Sequence, residues 1–225
     1  MLLIKAVLFD GYGTLFAGGM ERLHGLCQQI CDDHRLDLDG KGFLHEWDQH
    51  FLPMLRGDAF MTFRVANNRS LKATFAQLEI EADQEPYVDH FFELLGEVSL
   101  YDEVRSTIEK LNGFPHGVVS NADSDHLQAA LDRNELHFDL VVSSESAQAY
   151  KPNPDIFLPA LEKLGVSASD ALYVGDSQED DLEGAHRAGS KMAWVNRDGS
   201  VLKEGIPAPD YEIEDLSEVL GILGV

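Results

Sequence analysis

The sequence has only two cysteines and no long hydrophobic run. No window approaches the roughly 20 apolar residues of a membrane-spanning helix, so we expect no membrane partner. Cys27 and Cys31 lie four residues apart in a segment with helical spacing, which places them on one helix face. They are either half of a metal site or two small buried side chains. The absence of any further cysteine favours the second interpretation.

Basic residues are scarce as well. The 17 Lys and Arg stand against 40 Asp and Glu, and the formal net charge is -23. Such a chain repels the phosphates of nucleic acids and anionic lipids, so neither is an expected partner. The apolar run Leu2–Phe9 is short for a signal peptide and lacks a small-residue cleavage site, which predicts a cytoplasmic protein. No residue pattern predicts a particular oligomeric state.

The second half of the chain alternates apolar runs with helical patterns, which predicts an α/β fold with a parallel sheet. Residues 1–15 and 97–225 are expected to form this core, and Leu3–Phe9 is another expected buried strand. The further predicted strands are Gly117–Val119, Phe138–Val142, Ala171–Val174 and Met192–Val195, and the helices between them are Ser124–Asn134, Pro154–Leu164 and Glu179–Ala188.

Residues 16–96 contain helical patterns and no convincing strand. The predicted helices are Met20–His34, Phe43–Leu55, Arg69–Leu78 and Tyr87–Leu95, followed by a core helix at Tyr101–Leu111. Because this stretch lies between the first strand and that core helix, we interpret it as an inserted α-helical cap over one end of the sheet.

Polar residues follow four of the apolar runs. They are Asp10–Thr14, Ser120–Asn121, Ser143–Glu145 with Lys151 soon after, and Gly175–Ser177. In a doubly wound sheet the carboxyl ends of the strands gather at one edge, where ligands bind. We therefore expect these residues to form one site for a small anionic molecule.

The chemistry of these side chains predicts covalent catalysis. Asp10 can act as a carboxylate nucleophile, and Lys151 can keep it ionised and hold an anionic intermediate. Ser120 and Thr14 can donate hydrogen bonds to anionic oxygens. Asp176 begins an acidic cluster that suits Mg²⁺, although acidic residues also occur as helix caps and in first turns.

These four segments resemble the motifs of the haloacid dehalogenase superfamily. The matching stretches, in the order of the family, are Val7–Leu15, Val118–Asn121, Ser143–Glu145 with Lys151–Phe157, and Tyr173–Asp181 with Ala188-Gly189. The resemblance implies a Rossmann-like doubly wound core with a helical cap. It also implies a set of site residues: Asp10, Lys151, Ser120 and Thr14 for catalysis, Asn121 and Tyr12 for substrate, and Asp10, the Tyr12 carbonyl, Asp176 and Asp181 for Mg²⁺. Asp180 is an alternative to Asp181 as a Mg²⁺ ligand.

The chain departs from two activities of the superfamily in different places. Phosphatases of the superfamily carry an acidic proton donor two residues after the nucleophile, where this chain has Tyr12. Asp-x-Tyr-Gly-Thr is the pattern of the 2-haloacid dehalogenases. Gly175-Asp176-Ser177, however, differs from the dehalogenase pattern Ser-Ser-Asn, and Trp47-Asp48-Gln49 lacks the arginine that meets the halide there.

Three hypotheses follow. The first is a Mg²⁺-dependent hydrolase of a small phosphorylated metabolite, in which loss of the acid favours activated phosphates. The second is a 2-haloacid dehalogenase, supported by Tyr12. The third is a binding or regulatory protein that has lost efficient turnover on the same fold.

Overall fold

The computed structural model describes residues 4–57 and 59–225. The larger sheet contains β1 (Ala6–Phe9), β4 (His116–Ser120), β5 (Leu140–Ser143), β6 (Ala171–Gly175), β7 (Lys191–Val195) and β8 (Tyr211–Ile213), and a two-stranded ribbon contains β2 (Phe16–Ala17) and β3 (Ser99–Leu100). The larger sheet has the order β5-β4-β1-β6-β7-β8, and all its pairs are parallel. This confirms the predicted α/β, doubly wound, Rossmann-like fold.

Ten α-helices accompany the strands in the described part of the chain. They are α1 (Gly19–His34), α2 (Gly40–Leu55), α3 (Phe63–Gln77), α4 (Glu85–Gly96), α5 (Val104–Lys110), α6 (Ser124–Arg133), α7 (Ser144–Ala147), α8 (Leu158–Leu164), α9 (Glu183–Ala188) and α10 (Glu218–Leu223). Short 3₁₀ turns occupy Pro154–Ile156 and Ala168–Asp170, and a π-helical turn occupies Gln178–Leu182.

The central strands are buried along their whole length, which explains their continuous apolar sequences. All four residues of β1 and all five of β6 are buried. On one face of the sheet, Leu8 and Tyr173 join a cluster with Phe157, Leu161 and Ala185 from the segments that follow β5 and β6. Helices that connect parallel strands pack against the faces of the sheet. The carboxyl ends of the strands are therefore left uncovered by these helices and can form a binding site.

The chain divides into two compact units. One contains the described residues up to Ala17 together with Ser99–Val225, and the other is Gly18–Val98. The second unit contains α1 to α4 and no strand among its described residues. The boundaries that we predict from the sequence lie two residues before these bounds, because β2 and β3 pair with each other and keep Phe16–Ala17 and Ser99–Leu100 in the first unit.

Some predicted element bounds are wrong. Helix α3 begins at Phe63 rather than Arg69, since the Thr62 side chain accepts a hydrogen bond from the backbone N–H of Val65 and caps the helix there. Helix α5 begins at Val104 rather than Tyr101, and β5 begins at Leu140 rather than Phe138. Strand β8 is not predicted from the sequence, and the predicted start of the first strand at Leu3 lies outside the described residues.

Cys27 and Cys31 both lie in α1 and are buried free thiols, with 0% and 1% of their surface exposed. Burial raises the pKa of the Cys27 thiol to about 12, with a smaller contribution from Cys31. Protonated thiols in an apolar interior are poor metal ligands. The two cysteines therefore fit the interpretation as small buried side chains. None of the described helices is both long enough and apolar enough to span a bilayer.

Candidate active site

The site is formed where three neighbouring strands end. Strand β1 lies between β4 and β6, and Phe9 at its end pairs with Val118 on one side and Val174 on the other. Parallel strands in this register deliver the residues that follow them to the same edge of the sheet. Asp10 and Ser120 therefore meet there, and Asp176 follows on the other side.

Lys151 forms the centre of the site. Its ammonium donates to Oδ1 of Asp10 at 2.5 Å, to Oδ1 of Asp181 at 2.7 Å and to the hydroxyl of Tyr173 at 3.0 Å. An ammonium has three hydrogens, so these contacts use all of them. Only 3% of the lysine side chain is exposed. The arrangement fixes Lys151 as a buried charge and leaves it no donor for further hydrogen bonds.

Asn121 holds the backbone of Lys151. The backbone N–H of Lys151 donates to Oδ1 of Asn121 at 2.8 Å, and Nδ2 of Asn121 donates to the Lys151 carbonyl at 3.3 Å. The sequence predicts Asn121 as a substrate ligand. That role stays a prediction, and in the described structure the Asn121 side chain holds the backbone of Lys151 in place.

The two oxygens of Asp10 have different surroundings. Oδ1 accepts from Lys151 and, at 3.5 Å, from the hydroxyl of Ser120. No described residue donates a hydrogen bond to Oδ2. The carboxylate is thus held by one oxygen, and the other has its lone pairs available for reaction.

Three carboxylates lie close together around Lys151, which contacts two of them, Asp10 and Asp181. One oxygen each from Asp10, Asp176 and Asp181 lies within 4.8 Å of the others. Burial raises the pKa of Asp10 to about 8, against the lowering effect of Lys151, and Asp181 and Asp176 raise it further. Burial and Asp181 likewise raise the pKa of Asp176 to about 6. Burial alone would lower the pKa of Lys151, but Asp10 and Asp181 raise it well above its usual range. The cluster carries an excess of negative charge when it is ionised.

Asp176 is held by the loop that follows Asp10. The hydroxyl of Thr14 donates to its Oδ1 at 3.1 Å, and the indole N–H of Trp194 donates to its backbone carbonyl at 3.0 Å. Gly13 has a φ of +97°, and a Cβ there would lie 2.4 Å from Oδ2 of Asp176. Only glycine meets both the backbone geometry and the space at this position.

Asp181, rather than Asp180, belongs to the carboxylate cluster. Its Oδ1 accepts from Lys151 and from the Tyr173 hydroxyl at 3.0 Å, and its Oδ2 accepts from the backbone N–H of Ser177 at 2.9 Å. Asp180 instead lies 3.5 Å from Nδ2 of Asn121. Because donors already engage both oxygens of Asp181, this side chain fits a part in holding Lys151 better than one as a direct metal ligand.

The donor set fits a divalent cation at Asp10 and Asp176. Carboxylate oxygens are the ligands that Mg²⁺ prefers, and a charge of +2 would balance the excess negative charge of the cluster. Oδ2 of Asp10 is free of donors from the described residues. For a cation between these two residues, Thr14 would orient Asp176 and Lys151 would orient Asp10.

Tyr12 occupies the place where the superfamily phosphatases carry their acid. Its hydroxyl is buried and forms no hydrogen bond with the described residues, while its ring packs against Phe16 and His126 at centroid distances of 5.4 and 6.1 Å. Burial, and then the charges of Asp10 and Asp125, raise the pKa of Tyr12 above its usual range. A phenol with a raised pKa gives up its proton less readily, so Tyr12 is a poor general acid.

Sequence reasoning missed Tyr173 as a member of the site. Its hydroxyl accepts from Lys151 and shares its one hydrogen between the Val119 carbonyl at 2.9 Å and Oδ1 of Asp181 at 3.0 Å, although the residue lies in the middle of an apolar strand. The signal in the sequence was a tyrosine within a completely buried strand, because a buried phenol needs a polar partner.

Comparison with known proteins identifies the family. The family model of haloacid dehalogenase-like hydrolases matches residues 4–189. The chain belongs to this family of hydrolases. The match confirms the resemblance carried by the four sequence motifs.

The (S)-2-haloacid dehalogenase of Pseudomonas fluorescens is 24% identical to this hydrolase over 221 residues, which are 96% of this chain and 95% of the relative. The glyceraldehyde 3-phosphate phosphatase of Methanopyrus kandleri is 34% identical over 130 residues, 55% of this chain and 56% of the relative. The crystal structure of the L-2-haloacid dehalogenase RSc1362 has a TM-score of 0.81 at 23% identity, covering 99% of this hydrolase and 100% of that chain. At this level of identity, the similarity to the crystal structure shows a shared fold.

Proposed function

We propose that this hydrolase cleaves the carbon–halogen bond of small 2-halocarboxylic acids, with Asp10 as the nucleophile. The observation that carries the proposal is the state of Tyr12, whose buried phenol replaces the expected proton donor. A halide leaves as a stable anion and requires no proton, whereas an alkoxide does. The full-length similarity to an (S)-2-haloacid dehalogenase supports the same reaction. This reverses the order of the first two hypotheses from the sequence.

In the first step, Oδ2 of Asp10 attacks C2 of the substrate, and the halide leaves with the electron pair of the carbon–halogen bond. The product of this step is an ester of Asp10. Lys151 and Ser120 both donate to Oδ1 of Asp10, so Oδ2 is the oxygen that is free to attack. Since the hydrogens of Lys151 are all engaged, its part is to orient the nucleophile and to favour its ionised form against the effect of burial.

In the second step, water attacks Cγ of the ester, and negative charge develops on Oδ1. Lys151 and Ser120 already donate to that oxygen, and such preorganised donors stabilise a developing oxyanion. Asp176, with a pKa raised to about 6, is suited to accept the proton of the water near neutral pH. Cleavage of the bond between Cγ and Oδ2, with return of the proton from Asp176 to Oδ2, releases a 2-hydroxy acid. The remaining proton of the attacking water passes to solvent as the Asp10 carboxylate is restored.

A second candidate, a Mg²⁺-dependent phosphohydrolase, is favoured by the three carboxylates within 4.8 Å of one another. Asp10, Asp176 and the backbone carbonyl of Tyr12 would hold the cation, and Asp181 would support the site through Lys151. Mg²⁺ would neutralise charge on a transferred phosphoryl group. In this case, too, the lack of an acid at Tyr12 restricts good substrates to activated phosphates.

An isotope experiment separates the two reactions. The purified chain is given a less than stoichiometric amount of (S)-2-chloropropionate or acetyl phosphate in H₂¹⁸O, and the peptide that contains Asp10 is analysed by mass spectrometry. Dehalogenation places ¹⁸O in the Asp10 carboxylate, because water attacks Cγ. Phosphoryl transfer places it in the released phosphate, because water attacks phosphorus.

Activity assays complete the test. We expect halide release in the presence of EDTA and its loss by at least about 10³-fold in Asp10→Asn, because an amide is not a nucleophile here. Asp155→Asn is the matched control, since Asp155 is exposed and lies outside the site. Phosphate release that requires Mg²⁺, without halide release, would replace the first candidate by the second. A chain that releases neither product would support the third hypothesis.

We also propose that Gly18–Val98 acts as the cap that selects the substrate. Exchange of this unit for the corresponding unit of a characterised relative should change the preferred halo acid while leaving the Asp10 chemistry in place.

A further inference from the structure

We propose that Arg197 is a positioning residue that anchors the loop of the nucleophile, Gly11–Leu15, from outside that loop. Arg197 follows β7 by two residues, at the same edge of the sheet as the candidate site. The proposal rests on the function proposed above only for its effect on turnover. The anchoring itself is a property of the fold.

The guanidinium of Arg197 contacts three different groups. Nη2 donates to the backbone carbonyl of Thr14 at 3.1 Å and lies 2.7 Å from Oε1 of Glu103. The carbon Cζ lies 3.7 Å from the centre of the Tyr101 ring. A planar guanidinium can stack on an aromatic ring and donate hydrogen bonds in its own plane at the same time, which lysine cannot do.

The partners of Arg197 are themselves tied to the surrounding core. The backbone N–H of Tyr101 donates to the Leu15 carbonyl at 3.2 Å. Oε1 of Glu103 also accepts from the backbone N–H of Leu216 at 3.3 Å. Arg197 therefore joins the segment that leaves β1, the segment that enters α5 and the segment before α10. The side chain is 21% exposed, so these contacts are largely shielded from solvent.

The anchored loop is otherwise held mainly by backbone hydrogen bonds among its own residues and Phe16, which follows it. The backbone N–H groups of Leu15 and Phe16 donate to the Gly11 carbonyl, and that of Gly13 donates to the Phe16 carbonyl. Thr14 carries the Arg197 contact on its carbonyl and the Asp176 contact on its hydroxyl. A shift of the Thr14 backbone would therefore move the group that orients Asp176.

The test combines hydrogen exchange with kinetics in Arg197→Gln and Arg197→Lys. We expect the backbone amides of Gly13, Leu15 and Phe16 to exchange about tenfold faster in Arg197→Gln. We expect kcat to fall about tenfold while KM changes less than about threefold, since misplacement affects reaction geometry more than binding. Arg197→Lys should recover only part of both effects, because it restores the charge and not the planar contacts.

Two controls separate positioning from loss of an ion pair. Arg187→Gln removes an arginine from a helical pair with Glu183 away from the site and should leave both readouts unchanged. Glu103→Gln keeps an acceptor for Arg197 and Leu216 and does not touch Thr14. If Glu103→Gln lowers kcat as much as Arg197→Gln, the contact with Thr14 is not the cause and the proposal is overturned.

Unchanged exchange at the three amides in Arg197→Gln would also overturn the proposal. Circular dichroism and thermal unfolding verify that each variant is folded. If Arg197→Gln does not fold, the same comparison is made with Arg197→Lys. Faster exchange in a chain that releases neither halide nor phosphate would support the anchoring and count against the proposed function, so the two failures are distinguishable.

Discussion

The ammonium of Lys151 lies 2.5 Å from Oδ1 of Asp10, and both side chains are almost completely buried. The contact anchors one oxygen of the proposed nucleophile and leaves Oδ2 for the proposed attack. In the ester that would form, the anchored atom is the carbonyl oxygen, so the same lysine serves both steps of the proposed reaction.

Lys151→Met should abolish turnover and destabilise the fold. Removal of the ammonium leaves buried carboxylates without a partner, and breaking a buried pair in this way costs about 3–5 kcal/mol. We expect a loss of about 3 kcal/mol in the free energy of urea unfolding at pH 7, and a smaller loss at pH 5, where the carboxylates can take up protons. Lys203→Met removes an exposed pair with Glu179 and should cost less than about 1 kcal/mol. Equal losses in the two variants would refute the assignment of a buried charge cluster.

The raised pKa of Asp10 predicts a pH dependence of both stability and activity. A carboxyl group whose pKa rises from its ordinary 3.8 to about 8 on folding binds more protons in the folded chain than in the unfolded one. Stability in EDTA should therefore fall as the pH rises from about 4 to about 8, and Asp10→Asn should flatten this slope.

Metal-free kcat/KM should rise over the upper part of the same range, since attack requires the ionised carboxylate. If a divalent cation binds, its addition should move the rise to lower pH. A profile that is flat from about pH 6 to about pH 9 in EDTA would contradict the raised pKa.

Tyr12→Asp should change the leaving groups that the site accepts. A carboxylic acid at this position can protonate a leaving alkoxide, and one acid or base group commonly contributes about 10²- to 10⁴-fold. Hydrolysis of an alkyl phosphate with Mg²⁺ should rise by a factor in that range, while halide release should not increase. Tyr12→Phe is the control. Because the Tyr12 hydroxyl has no hydrogen-bond partner in the described structure, its removal should leave activity within about threefold and stability unchanged or slightly higher.

Gly13→Ala should disable the site through Asp176. The new Cβ would lie 2.4 Å from the Asp176 carboxylate, on a residue with a φ of +97°. Gly113→Ala is a matched control, because Gly113 has a φ of +88° and no atom lies within 4 Å of a Cβ built there. Both variants should lose about 1 kcal/mol of stability from the backbone conformation. Only Gly13→Ala should lower kcat, by at least about tenfold. A similar kcat in both would show that the packing of Gly13 against Asp176 is not needed.

The sequence by itself determined the α/β fold and the edge at which polar residues gather. Period and composition reveal buried parallel strands, and such strands deliver the residues after them to one edge. The proximity of Asp10, Lys151 and Asp176 could be expected on that basis alone. The four helices of Gly18–Val98 could also be predicted, since the spacing of apolar residues along a helix is a local feature of the sequence.

Only the tertiary structure decided which atoms pair within the site. Tyr173 accepts a hydrogen bond from Lys151 although it lies in an apolar strand, and Asn121 holds the lysine backbone. Asp181, and not Asp180, contacts the lysine ammonium. The π-helical turn Gln178–Leu182 carries both acidic residues, and sequence spacing alone does not show which of them faces the lysine. Whether a hydrogen bond forms depends on differences of about a few tenths of an ångström in the distance between segments far apart in the chain. Local periodicity carries no information on such differences.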